Sequence, residues 1–123
     1  YQKVCAMAIV KESSTNQMNK RLVNTRCPVT FIAHKMGNRW KPLVIRELFS
    51  GTRRYGELKR AIPAVTEKML IQTLKELEAD GIINRKAMPV VPPHVEYNLT
   101  DCGKDLEPVI TEMVKWSLKY NIQ

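Results

Sequence analysis

The segment IPAVTEKMLIQTLKELEADGI, residues 62–82, has less conformational choice than any other part of this chain. Ile62 precedes Pro63, and a residue before proline avoids the helical region, so 62–65 is a turn. Thr66 then reads as an N-cap, with Glu67 placed favourably against the helix dipole. Val65 before the cap and Leu70 at the fourth helical position have the spacing of a hydrophobic staple. Leu70, Leu74 and Leu77 recur on one face, and Asp80-Gly81 is a strong stop. The spacing predicts a capped helix over 66–80 with one apolar side.

The neighbouring segments are also well marked. Pro28 suits the first position of a helix carrying Val29, Phe31, Ile32 and Met36, stopped by Gly37-Asn38. A second helix is expected from Trp40 to Phe49, with Pro42 confined to its first turn and Ser50-Gly51 closing it. A short third helix, Tyr55 to Ile62, follows a turn that contains Arg53 and Arg54. Beyond Gly81, IINRKA (82–87) and VEYNLT (95–100) read as strands, the second alternating Val95, Tyr97, Leu99 against Glu96, Asn98, Thr100. The intervening MPVVPPH is a proline-stiffened loop. A last helix is expected from Asp101 to Tyr120, bent at Pro108. Its apolar residues Leu106, Val109, Ile110, Met113, Val114, Trp116 and Leu118 cover more than one stripe, which predicts a contact with a second subunit.

With 123 residues the chain is read as one domain over 27–123. Residues 1–26 are read as an N-terminal extension, partly flexible or added by cloning, with Met18 a plausible native start. The apolar run Val4 to Val10 is too short to span a bilayer, and no small-residue cleavage site follows it. The net charge of +8 favours an anionic partner. Between Lys20 and Arg60 stand eleven basic residues against only Glu47 and Glu57, whereas 61–123 is slightly acidic. That asymmetry predicts one basic surface. Three cysteines (Cys5, Cys27, Cys102), widely spaced and odd in number, fit neither a disulfide framework nor a zinc module. They point to a reducing cytoplasm. No paired carboxylates, glycine-rich phosphate loop or metal-ligand spacing is present, so no catalytic residue, metal or cofactor is expected.

Short helix, four-residue turn and capped helix make a helix-turn-helix, and the two strands at 82–100 make a wing. The fold class is therefore mainly α with a small β-hairpin wing, a winged helix-turn-helix. On the capped helix, Thr66, Lys68, Gln72, Thr73 and Lys75 are assigned to outer faces, where lysine and glutamine can reach base edges or phosphates of double-stranded DNA. Met69 is assigned to the core. Arg53 and Arg54, Lys59 and Arg60, and the wing residues Arg85, Lys86 and His94 bracket that helix as backbone-phosphate contacts. The rival from the same fold is a winged helix that binds protein only; it would lack outward lysines on the capped helix.

CPV at 27–29, GNRWKPLVIREL, RRYGELKRAIPAVTEKMLIQTLKELEADGIINR and VPPHVEYNLTDCG closely resemble the HxlR-type winged-helix regulators, over Cys27 to Tyr120. The resemblance implies a bacterial or archaeal transcription factor that is a homodimer through its first and last helices and inserts the capped helix in the major groove of an inverted-repeat operator. Some family members use a cysteine at the position of Cys27 to respond to oxidants, quinones or aldehydes. This chain departs in having Tyr55 where phenylalanine is common, a wing stretch KAMPVVPP without the frequent tyrosine, and Cys102 at a variable site.

Two readings of Cys27 stand side by side. Its place at a helix N-terminus beside Arg26 lowers a thiol pKa and suits a sensor. A free cysteine also packs well as a small hydrophobe. His34, about 10 Å further along the helix axis, is too far to act as its base. Cys102 is read as a packing residue, with a resolving thiol as the alternative.

Overall fold

A computed structural model describes residues 27–120. The expectations for residues 1–26, Cys5 and Met18 included, lie outside the described residues. Among the described residues, six helices and three short strands follow in the order α1 (Pro28–Lys35), α2 (Trp40–Leu48), β1 (Arg53–Arg54), α3 (Tyr55–Ala61), α4 (Glu67–Ala79), β2 (Ile83–Met88), β3 (His94–Leu99), α5 (Asp101–Lys104) and α6 (Glu107–Tyr120).

The ends of these helices are set by local chemistry. Cys27 is the N-cap of α1, with Pro28 in its first turn. Asn38, expected as a stop for α1, serves the next helix instead. Its Oδ1 accepts from the backbone N–H of Trp40 at 2.8 Å and of Lys41 at 3.0 Å, two donors with no partner inside the helix. At α4, Thr66 Oγ1 accepts from the Met69 N–H at 3.1 Å. Gly81, at φ 73°, ends that helix with the Ile82 N–H on the Leu77 carbonyl and its own N–H on Glu78, the paired bonds of a Schellman stop.

The sheet is antiparallel in the order β1-β3-β2. Ile83 faces Leu99 at its base, and Met88 faces His94 at its tip. Arg53 and Arg54, expected in a turn, form a third strand opposite Tyr97 and Glu96. Two residues are too few to show an alternation, and their pairing depends on β3 lying alongside. The core gathers Val44, Ile45 and Leu48 of α2, Leu58 of α3, Leu70, Leu74 and Leu77 of α4, and Ile82, Ile83, Tyr97 and Leu99 around the sheet.

The C-terminal region departs most from expectation, being two helices rather than one bent helix. Pro108 has no N–H for the Lys104 carbonyl, and its ring would clash there. The chain breaks upstream of it, with Asp105 bonded back to Asp101 and Leu106 to Gly103, so Pro108 falls in the first turn of α6. Gly103 sits so close to the Ile82 carbonyl oxygen that any Cβ would collide with it. Of α6 only Ile110 is buried; Val109, Met113, Val114, Trp116, Leu118 and Tyr120 are exposed.

Candidate nucleic-acid interface

One face of α4 is spent on the core, and this decides which side chains are left outside. Leu70, Thr73, Leu74 and Leu77 are buried, the i, i+3, i+4, i+7 stripe of an amphipathic helix. At 100° per residue, Lys68, Gln72 and Lys75 lie within about 60° of one another on the opposite side, and all three are exposed. Thr73 corrects the sequence reading, which placed it on an outer face. It is 0% exposed, between Leu70 and Leu77, and cannot touch a base. Its buried hydroxyl has no hydrogen-bond partner. Met69 packs against the core as expected. Thr66 is exposed at the helix entrance with its hydroxyl given to the cap.

The bracketing residues divide into two groups. Arg54, Arg85 and Lys86 are exposed. Arg53 is held to its own loop, its guanidinium donating to Ser50 Oγ at 2.6 Å and to the Thr52 carbonyl at 3.3 Å. His94 is half-buried, with Nε2 2.9 Å from Glu96 Oε2 on the same strand. At the start of α3 the Arg54 N–H donates to Glu57 Oε1 at 2.7 Å. That bond, more than the neighbouring guanidiniums of Arg53, Arg54 and Arg60, holds the Glu57 carboxyl below the usual carboxylate range. Lys59 extends toward the Pro63 carbonyl in the turn just beyond the same helix.

Two members of the basic run turn inward, which the sequence did not reveal. Lys35 pairs with Asp80 at 3.1 Å, both nearly buried, tying α1 to the end of α4. Lys41 is buried on α2, with its Nζ 2.9 Å from Glu76 Oε1. The signal available for Lys41 was its register with Val44, Ile45 and Leu48 on the inner face of α2. Ile71, 44% exposed beside the outward lysines, adds an apolar group of the kind that meets a thymine methyl.

Away from this face, Cys27 is an exposed free thiol. The backbone N–H and hydroxyl of Thr30, and then the Val29 N–H, lie on the thiol's side of the helix start and hold its pKa below the ordinary thiol value. Cys102 is half-buried, its Sγ 3.4 Å from the Gly81 carbonyl oxygen and 3.5 Å from Thr100 Oγ1. Among the described residues no group of His, Cys, Asp and Glu could hold a metal ion.

The HxlR-like helix-turn-helix family model matches residues 35–123. The chain belongs to that family. It is 42% identical over 90 residues to YybR, an HTH-type transcriptional regulator of Bacillus subtilis, over 73% of this chain and 72% of YybR. Among solved structures, the oxidized form of the redox regulator HypR is similar with a TM-score of 0.74 at 39% identity, over 79% of this chain and 100% of that one. The reduced form of the transcriptional regulator YodB from B. subtilis gives 0.68 at 38%, over 76% of this chain and 93% of YodB. This HxlR-like chain is accordingly a DNA-binding winged helix-turn-helix regulator, and the protein-contact alternative is not favoured.

Proposed function

We propose that this HxlR-like regulator works as a cytoplasmic homodimer that binds an inverted-repeat operator, one α4 per half-site, with the wing on the flanking backbone. The observation that carries the reading is the outward trio Lys68, Gln72 and Lys75 on a helix whose other side is locked into the core. The exposed Arg54, Arg85 and Lys86 supply phosphate contacts beside it. Arg53 and His94 take part only by exchanging their internal partners for phosphate. Thr66 contributes as the cap that fixes the helix start. The role is regulatory rather than catalytic. No described helix is long and apolar enough to cross a membrane.

Dimerisation is supported by the uncovered apolar face of α6 and by Val29, 72% exposed on α1. Two-fold symmetry then sets half-site centres about one helical turn apart, roughly 34–36 Å, or a multiple of that. A gel-shift at two salt concentrations tests DNA binding, since affinity resting on phosphate contacts falls steeply with salt. No retardation at low salt would refute the reading.

Cys27 is the candidate for an oxidant or electrophile response, supported by its exposure, its lowered pKa and the likeness to redox regulators. Cys27→Ser is expected to abolish any oxidant-dependent change in operator affinity. A response that survives in Cys27→Ser removes the thiol from the signal.

A further inference from the structure

A chain of polar contacts crosses α4 from its core side to its outer side. It starts at Lys41, only 6% exposed on α2, whose Nζ lies 2.9 Å from Glu76 Oε1. The other carboxylate oxygen, Oε2, accepts from Gln72 Nε2 at 2.6 Å. On an isolated exposed helix such an i, i+4 contact is weak and rearranges freely. Here the carboxylate is anchored, because swinging it outward would leave a buried ammonium without its counter-charge. A carboxylate only accepts hydrogen bonds, so the group that Gln72 turns toward Glu76 is its NH2. The Gln72 carbonyl oxygen is thereby turned away from the Glu76 carboxylate, and Gln72 itself stands on the exposed face with Lys68 and Lys75.

We propose that Glu76, anchored by Lys41, is a positioning residue for sequence reading. It holds the Gln72 amide with its carbonyl oxygen leading toward the DNA, so that α4 selects at that position a base with an exocyclic amino group in the major groove, adenine or cytosine. Guanine and thymine present acceptors there and repel a leading carbonyl. This rests on the DNA-binding reading above and deepens it.

The test is operator selection from a random duplex pool, run with the full chain and three variants and followed by thermal unfolding of each. Removing Glu76 alone would strand the Lys41 ammonium and endanger the fold, so the pair is replaced together as Lys41→Met/Glu76→Met. The wild type is expected to favour adenine or cytosine at one position of each half-site by at least about fivefold. In the double variant and in Gln72→Ala that preference is expected to fall below about twofold, and in the folded double variant low-salt affinity for unselected DNA is expected to stay within about threefold. Lys75→Ala is expected to keep the preference and lose affinity on all sequences alike. An unchanged profile in a folded double variant overturns the inference, and so does a wild-type preference for guanine or thymine at the position that Gln72→Ala relaxes. No retardation of any duplex by wild type at low salt overturns the DNA-binding reading itself, and the inference with it.

Discussion

α4 and α6 are of similar length, 13 and 14 residues, and both carry several large apolar side chains, yet they end in opposite situations. α4 buries four residues inside its own subunit and leaves a polar, basic face outside. α6 buries Ile110 alone and leaves Trp116 65% and Leu118 76% exposed. An apolar stripe in a sequence says that a face is to be covered; it does not say by which chain. The width of the pattern separates the two cases. One stripe fits one core, and apolar residues on several sides require a further partner.

The contrast can be broken most severely inside α4. Leu74→Ala is expected to cost about 2–5 kcal/mol, because the fully packed neighbours cannot close the cavity. Chemical denaturation would measure it, and a loss below about 1 kcal/mol would mean that α4 is less locked than its burial implies. The corresponding change on α6, Trp116→Ser, is expected to leave the unfolding of the subunit nearly unchanged and to convert the proposed dimer to monomer. Sedimentation at several concentrations would read this, and an unchanged association state would assign the exposed face to another partner. Thr73→Val is a finer probe. The buried hydroxyl has no partner, so its removal is expected to be neutral or to stabilise by about 1 kcal/mol. Operator affinity should not move, and a loss of DNA binding by folded Thr73→Val would return this residue to the interface.

The smallest effect concerns pH. The Glu57 carboxyl titrates below its ordinary value in the folded chain. The stability this contributes is fully present above the ordinary carboxylate value and is lost as pH falls through the depressed folded value. Glu57→Gln is expected to flatten the acid side of the thermal midpoint against pH and to leave α3 folded at neutral pH. An acid limb identical to wild type would show that the Arg54 N–H bond carries none of that dependence.

Much of this architecture was legible because local signals agreed with one another. At α4 the proline turn, the threonine cap, the staple spacing and the terminal glycine all name the same helix. The strand 95–100 announced itself by alternation. The features that escaped depend on what lies across the fold. The pairing of Arg53 and Arg54 exists only because β3 is beside them. Lys41 looked like one more charge in a basic run, yet the register of α2 carries it inward to Glu76. Thr73 was misplaced by residue type: threonine suggested an outer face, while its spacing from Leu70 and Leu77 already put it inside. Helical phase was the better guide at that position.

The ion pair between Lys35 and Asp80 has a mechanical meaning. α1 carries Cys27 at one end and Lys35 at the other, eight residues or about 12 Å apart. The Lys35 end is pinned to the residue that closes α4, while the Cys27 end lies open to solvent. α1 is thus a lever with its fulcrum on the reading helix. On the role proposed for Cys27, a shift of α1 begun at the thiol would be passed through that ion pair to the closing end of α4.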